Sequence, residues 1–105
     1  MAKQAKTHTS KRAALPRSVA YTREFKKSWQ RYERAGVRNM NEAVEVMALL
    51  FKGQPLPPEY LDHELQGNWG GARECHIGGD FLLVYEDDGR MLTFVDLGSH
   101  SELFG

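Results

Sequence analysis

The sequence predicts a single α+β domain in which a pair of helices covers one face of a small antiparallel sheet. Two amphipathic helical patterns follow one another in the first half of the chain, and strand-like runs separated by turn signals occupy the second half. The length of 105 residues suits one hydrophobic core. We expect the domain over residues 18–105, after a flexible basic tail over residues 1–17 that has too little apolar surface to fold.

The first helix is predicted to follow a short extended stretch over residues 16–21, which would form an N-terminal strand. Aromatic residues recur at spacings of four, four and three and so share one helical face: Tyr21, Phe25, Trp29 and Tyr32. We expect this face to pack in the core rather than to stack on nucleic-acid bases. Arg34 and Gly36 are typical of a helix end, which predicts a helix of about 14 residues.

A second helix is predicted to begin after Asn39, whose side chain can cap it, with Glu42 completing a capping box. Lys52 and Gly53 are expected to end this helix. Its predicted apolar stripe consists of Ala43, Val44, Met47, Leu50 and Phe51. Because only a short turn separates the two helices, we expect them to form a helical hairpin.

Prolines and glycines exclude long regular structure from residues 54–71, so this segment is predicted to be an irregular connector. Three strand-like runs then follow, at residues 72–77, 81–86 and 91–96. The turn signals between them, Gly78-Gly79 and residues 87–90, predict an antiparallel meander. Ser99 and Glu102 have the spacing of a capping box, which predicts a final helical turn through Phe104.

The formal net charge of zero conceals a division along the chain. Residues 1–38 carry a net charge of +9, and residues 39–105 carry −9. Such asymmetry indicates a charged partner. The sequence has neither a membrane-spanning run nor a secretory signal, and its single cysteine, Cys75, has no internal disulfide partner, so we expect a cytoplasmic protein with Cys75 buried in a strand.

Three histidines lie beside predicted turns or strand ends: His63, His76 and His100. Zinc could accept them together with Asp80, but 12 and 23 residues separate successive histidines, whereas metal motifs usually contain a closely spaced pair. Acid–base catalysis needs only convergence in the fold, and histidine titrates near neutral pH. Three unrelated surface histidines are the remaining interpretation.

Residues 62–77 read DHELQGNWGGARECHI, and residues 97–105 read LGSHSELFG. The first segment closely resembles the D-H-x-L-x-G-x-W-x-G-x-R-x-x-H pattern of YafQ-type toxins in the RelE/ParE superfamily, and the second resembles the C-terminus of that family. The resemblance spans residues 19–105. It implies a RelE-like fold and the toxin of a type II toxin–antitoxin system, with a cognate antitoxin as partner.

The resemblance further implies a ribosome-dependent endoribonuclease that cleaves messenger RNA without a metal or other cofactor, by attack of a ribose 2′-hydroxyl on the adjacent phosphate. On the family pattern the catalytic positions are occupied by His63, His76, Asp80 and His100. We expect His100 to be the general acid and Asp80 or His76 the general base. A final helical turn beginning at His100 would also offer free N–H groups to a phosphate.

Arg73 and Phe104 are candidate RNA contacts on the same resemblance, the first with a phosphate and the second by stacking on a base. The basic residues of the first helix are predicted to contact ribosomal RNA rather than merely to form a solvated face, in particular Lys26, Lys27 and Arg31. No membrane partner is expected.

Asp96 departs from the family pattern, because YafQ-type toxins commonly carry an arginine four residues before the final histidine. A carboxylate at this position would repel the substrate phosphate. Two alternatives to the nuclease therefore remain: a ParE-like inhibitor that acts by binding a target other than RNA, and a catalytically inactive module that binds the antitoxin. The turn at Gly78-Gly79 raises a separate question of geometry. If it is a strict two-residue turn, His76 and Asp80 lie on opposite faces of their hairpin.

Overall fold

A computed structural model describes residues 18–105, so the predicted tail over residues 1–17 lies outside the described residues. The described chain contains three helices, five strands and two short 3-10 turns. The strands are β1 (Ser18–Tyr21), β2 (His63–Glu64), β3 (Arg73–Gly78), β4 (Phe81–Asp87) and β5 (Met91–Gly98). The helices are α1 (Arg23–Ala35), α2 (Met40–Phe51) and α3 (His100–Phe104). The predicted α+β class is confirmed.

All five strands form one sheet in the order β1-β5-β4-β3-β2. The meander of β3, β4 and β5 is antiparallel as predicted, but β1 pairs in parallel with β5, so the sheet is mixed. Parallel neighbours need a long crossover connection, and the chain between β1 and β5 provides it. The expectation of a purely antiparallel sheet is therefore wrong, because strand direction depends on the path of the whole chain.

The connector contains one strand that the sequence analysis missed. β2 has only two residues and pairs antiparallel with β3, with His63 opposite Glu74. Short 3-10 turns lie on either side of it, at Pro58–Tyr60 and Gly67–Trp69. Two residues cannot show a period-two pattern, so β2 leaves no signal in the sequence.

Helix α1 has 13 residues, close to the length predicted, and Thr22 caps its start by accepting a hydrogen bond from the Phe25 backbone N–H. Tyr21 belongs to β1 instead of the helix, although its ring still contacts Phe25 at a centroid distance of 5.7 Å. Gly36 ends the helix with a left-handed backbone (φ 69°), as its position predicted.

Helix α2 begins as predicted, with the Asn39 side chain accepting from the Glu42 backbone N–H. The capping box is not completed, because the Glu42 carboxylate accepts a hydrogen bond from the Tyr60 hydroxyl instead. This hydrogen bond raises the pKa of Tyr60 to about 12. The carboxylate thus fastens the connector to the start of α2.

The apolar stripe of α2 is rotated from the predicted one. Its buried residues are Ala43, Val46 and Leu50, at spacings of three and four. Val44 and Phe51 are 51% and 49% exposed, so they lie at the edge of the stripe rather than in the core. Nine of the twelve residues of this helix are apolar, and the sequence therefore does not distinguish one apolar face from the next.

The two faces of the sheet have different surroundings. Cys75 and Ile77 of β3 pack into the core together with residues of α1 and α2, as expected for Cys75, and burial raises the pKa of the Cys75 thiol to about 12. Glu74 and His76 alternate with them and therefore project from the opposite face. That second face carries the candidate site.

The turn between β3 and β4 is shifted by one residue from its predicted place. Gly78 pairs with Phe81, and the register shifts between His76 and Gly78, so Gly79 and Asp80 form the turn. Gly79 has a positive φ of 56°, which glycine adopts without a steric penalty. The shift places Asp80 at the rim of the sheet.

Candidate active site

Three histidines that are distant in the sequence form a row of neighbouring rings, called the histidine row below. His63 lies in β2, His76 in β3, and His100 is the first residue of α3. The ring centroids of His63 and His76 are 6.3 Å apart, and those of His76 and His100 are also 6.3 Å apart. The structure thus excludes the interpretation of three unrelated surface histidines.

Asp80 lies at the His100 end of this row. Its Oδ1 accepts a hydrogen bond of 2.9 Å from the His100 backbone N–H and lies 3.5 Å from the His100 ring Nδ1. The side chains of Asp80 and His100 are 57% and 62% exposed. The first N–H of α3 is therefore taken by Asp80 and is not free to hold a phosphate, whereas the His100 ring remains open to a substrate.

A buried carboxylate that the sequence analysis did not single out joins the other two histidines. Glu74 is only 3% exposed, and its Oε1 lies 3.4 Å from His63 Nε2 and 3.3 Å from His76 Nε2. Burying a carboxylate is costly unless positive or N–H groups compensate, and the two imidazoles provide that compensation. The contact between Glu74 and His63 follows from the pairing of β2 with β3, and that pairing leaves no signal in the sequence.

The other ring nitrogen of His63 is fixed by the connector. Its Nδ1 lies 2.7 Å from the Leu61 carbonyl oxygen, and because a carbonyl can only accept, Nδ1 is the donor. Leu61 has a left-handed backbone with φ 51°, which is unusual for a leucine. Backbone strain of this kind is concentrated at functional sites, where the surrounding structure maintains it.

Aromatic rings continue the row beyond His100. The ring centroid of Phe104 lies 5.6 Å from that of His100 and 5.2 Å from that of Trp69, in an edge-to-face arrangement with the indole. Trp69 therefore supports Phe104 from the connector, in line with a structural role. Phe104 itself is half-buried and borders the exposed imidazole of His100.

Arg73 is the one strand residue of the predicted site that the fold does not bring to the histidine row. It alternates with Glu74 along β3 and forms a two-pronged ion pair with Asp62, at 3.3 and 3.2 Å. Tyr85 donates a further hydrogen bond to the same carboxylate. The hydrogen bonds with Asp62 raise the pKa of Arg73, so its charge is engaged within the protein on the far side of the strand.

The basic residues of α1 divide into two groups. Arg31 reaches the C-terminal helix, where its Nη1 lies 2.9 Å from Glu102 Oε2. Lys26 and Lys27 are exposed, and Lys26 borders an apolar groove beside Tyr21. Only Arg31 of the three predicted RNA contacts on this helix therefore adjoins the element that carries His100.

Asp96 is held beside α1. Its Oδ1 accepts hydrogen bonds of 2.7 Å from the Ser28 hydroxyl and from the Leu97 backbone N–H. The carboxylate is therefore stabilised by protein donors from α1 and from its own strand.

Within residues 18–105, no group of three or more histidine, cysteine, aspartate or glutamate side chains is arranged to hold a metal ion. No helix in this part of the chain is both long enough and apolar enough to cross a membrane.

Comparisons with known proteins agree with this architecture. Residues 17–105 match the family model described as the bacterial toxin of type II toxin–antitoxin system, YafQ. The chain is 34% identical over 92 residues to the mRNA interferase toxin YafQ of Escherichia coli strain K12, covering 87% of this chain and 99% of that protein.

Solved structures show the same fold. The toxin in the crystal structure of the Escherichia coli DinJ–YafQ toxin–antitoxin complex superposes with a TM-score of 0.81 and 34% identity, covering 87% of this chain and 100% of that one. A crystal structure of a metal-bound toxin from Helicobacter pylori gives a TM-score of 0.74 and 36% identity over 83% of this chain and 98% of that one. The predicted RelE-like fold is thus confirmed.

Proposed function

The chain belongs to the YafQ family of bacterial toxins from type II toxin–antitoxin systems, and we propose that it is an mRNA interferase. On this proposal a single domain over residues 18–105 cleaves messenger RNA on cytoplasmic ribosomes without a metal ion. The histidine row with Asp80 at its end carries the proposal, because it unites acid–base groups in an exposed site.

The proposed reaction is an intramolecular transfer at phosphorus. The 2′-oxygen of a ribose attacks the adjacent phosphate as a base removes its proton, and the bond to the 5′-oxygen breaks as an acid supplies a proton. The products are a 2′,3′-cyclic phosphate and a free 5′-hydroxyl. Such a reaction needs a base, an acid and donors that stabilise the pentacoordinate phosphorus, all of which side chains can provide.

His100 is the proposed general acid. Its imidazole is exposed to substrate, and the Asp80 carboxylate 3.5 Å from Nδ1 would stabilise the protonated ring and orient it. The same carboxylate accepts from the His100 backbone N–H, so acid and carboxylate are held as one unit. This arrangement supports Asp80 as the partner of the acid rather than as the base.

His76 is then the proposed general base, at a ring-centroid distance of 6.3 Å from His100. Its Nε2 faces the Glu74 carboxylate at 3.3 Å, and a carboxylate accepts hydrogen bonds from N–H groups. With Nε2 protonated, Nδ1 carries the lone pair that can remove the 2′-hydroxyl proton. Both ring nitrogens of His63 already have partners, the Leu61 carbonyl for Nδ1 and the Glu74 carboxylate for Nε2, so His63 would help to hold Glu74 and the base in place rather than donate to the phosphate.

The remaining predicted contacts concern binding. Phe104 would stack on a base next to the scissile phosphate, because its ring lies 5.6 Å from the proposed acid. Lys26, Lys27 and Arg31 would approach the phosphates of ribosomal RNA from α1. Arg73 is engaged with Asp62 and would have to leave it to meet a phosphate, so we assign it no direct contact.

A cognate antitoxin is the proposed inhibitor. The support is the complex of the Escherichia coli toxin with its DinJ antitoxin, whose toxin shares 34% identity with this chain. An acidic antitoxin segment would complement the net charge of +9 in residues 1–38.

Primer extension on a messenger during induced expression tests the nuclease directly. Cuts at defined codons, which persist in a purified translation mixture containing ribosomes and disappear when ribosomes are omitted, would support it. A second experiment tests whether cleavage is metal-free. The mixture keeps Mg²⁺ for the ribosome, and a zinc-selective chelator removes zinc. Loss of cutting under that chelator would contradict it.

A module that acts by binding is the second candidate, and the acidic surroundings of the site favour it. Residues 39–105 contain the histidine row and carry a net charge of −9, which an RNA substrate would not prefer. Growth arrest on induction without any messenger cuts would support this ParE-like or catalytically weakened alternative.

A further inference from the structure

Helix α3 has only five residues, yet it carries His100 and Phe104. A helix this short is not stable by itself in water, because isolated helices below about 12–15 residues are marginal. Its position must therefore come from contacts with the rest of the protein.

Glu102 provides those contacts. Its Oε1 accepts hydrogen bonds from the Tyr32 hydroxyl and, at 2.9 Å, from the Ser99 backbone N–H. Its Oε2 lies 2.9 Å from Arg31 Nη1. The Glu102 backbone N–H donates in return to the Ser99 hydroxyl, which completes a capping box. One carboxylate thus caps α3 and fastens it to α1.

Tyr32, the partner of Glu102 on α1, is held in place by packing. Tyr32 is buried, and its ring contacts Phe81 of β4 at a centroid distance of 5.0 Å. The hydrogen bond from Tyr32 is the largest of the effects that lower the pKa of Glu102 to about 2, so Glu102 is ionised at neutral pH. A buried hydroxyl joined to a carboxylate is a stronger attachment than the exposed ion pair with Arg31.

Gly98 leaves room for this carboxylate. A Cβ atom at position 98 would lie 2.9 Å from Glu102 Oε1 and 3.5 Å from the Tyr32 hydroxyl oxygen. The strand end and the helix are therefore fitted to each other around the tether.

We propose that Glu102 is a positioning residue that tethers α3 to α1, chiefly through Tyr32, and so sets the imidazole of His100 against Asp80. The catalytic part of this inference rests on the proposed nuclease function. Glu102 does not touch the substrate in this proposal and acts only through His100.

The test compares two tether variants, Glu102→Ala and Tyr32→Phe, with the control Glu33→Ala. Glu33 is an exposed glutamate next to Tyr32 on α1. Backbone amide exchange is measured at Leu103 and Gly105, whose N–H groups donate to the Ser99 and Ser101 carbonyls, and the amide resonance of His100 reports its hydrogen bond to Asp80. We expect exchange to accelerate about tenfold and the His100 resonance to move in both tether variants. Glu33→Ala should leave both unchanged, and Arg31→Met should have a smaller effect than Tyr32→Phe.

In the cleavage assay, Glu102→Ala should lower kcat about tenfold with little change in KM, since misplacement of a catalytic group affects the chemical step. Glu102→Gln, which keeps one acceptor oxygen for Tyr32, should recover part of this loss. Unchanged exchange and an unmoved His100 resonance would overturn the tether, and faster exchange with an unchanged kcat would overturn its effect on catalysis. Should the wild-type protein cut no RNA, the proposed function fails, while the exchange and resonance measurements still decide whether Glu102 positions α3.

Discussion

Asp80 holds His100 at two points, through the backbone N–H at 2.9 Å and beside the ring Nδ1 at 3.5 Å. The two residues are 20 positions apart and come from a hairpin turn and a terminal helix. A carboxylate at both points of one histidine fixes where the residue lies and how its ring is oriented.

His100→Ala is expected to reduce messenger cleavage at least about 100-fold, because general acid catalysis commonly contributes that much. The side chain is 62% exposed, so the melting temperature should change little. Cleavage in a purified translation mixture and thermal unfolding are the two measurements. Undiminished cutting by a folded variant would remove His100 from the mechanism.

Glu74→Gln preserves the size of the buried side chain but removes the negative charge between His63 and His76. We expect at least about a tenfold loss of kcat, because the orientation of the proposed base depends on this carboxylate. Glu64→Gln, at an exposed position of β2, is the matched control and should behave like the wild type. Equal rates for the two variants would contradict the role of Glu74.

Asp96→Asn should increase the cleavage rate several-fold at low salt, with a smaller gain at high salt, because it removes a negative charge from a position where YafQ-type toxins commonly carry an arginine. An asparagine oxygen can still accept from Ser28, so stability should be maintained. Asp96→Arg should raise toxicity on induction further. If the wild type is already as toxic as both variants, Asp96 does not hinder the substrate.

Leu61→Gly is expected to raise the free energy of unfolding by about 0.5 kcal/mol. Relief of the left-handed leucine contributes about 1 kcal/mol or more, and the greater freedom of glycine in the unfolded chain offsets part of it. Urea denaturation measures the difference. Destabilisation by more than about 1 kcal/mol would show that the Leu61 side chain, which is 57% exposed, contributes more packing than its exposure suggests.

The stability contribution of Glu102 should depend on pH in one direction. The hydrogen bond from Tyr32 lowers the pKa of Glu102 from the ordinary value of 4.5 to about 2 in the folded protein, so the contribution is complete above pH 4.5 and is lost as the pH falls toward 2. The difference in unfolding free energy between the wild type and Glu102→Gln, measured over this range, should therefore shrink on acidification. A difference that is constant with pH would contradict the ionised tether.

Local features of this fold could be predicted from the sequence. Gly36, Asn39 and Ser99 occupy helix ends as expected, because capping depends on residues within one helical turn. The meander follows from its turn residues for the same reason. Features that join distant segments could not be predicted, namely the parallel pairing of β1, the two-residue β2 and the tether of Glu102 to Tyr32.

The candidate site shows the same division. The histidines and Asp80 could be singled out as candidates from the sequence, but their distances and the burial of Glu74 depend on strand register. Arg73 was predicted to contact a phosphate, but its guanidinium binds Asp62 on the other side of β3. Alternation along a strand separates Arg73 from Glu74 even though the two are adjacent in the sequence.

The histidine row draws its members from elements of very unequal local stability. His76 lies on β3, which is hydrogen-bonded to strands on both sides, so it should move only when the sheet unfolds. His63 and His100 lie on a two-residue edge strand and a five-residue helix, which can open without disturbing the core. The site is therefore anchored at its centre by the sheet, whereas the positions of its two ends depend on a few side-chain contacts, those of Glu102 for His100 and those of Glu74 for His63.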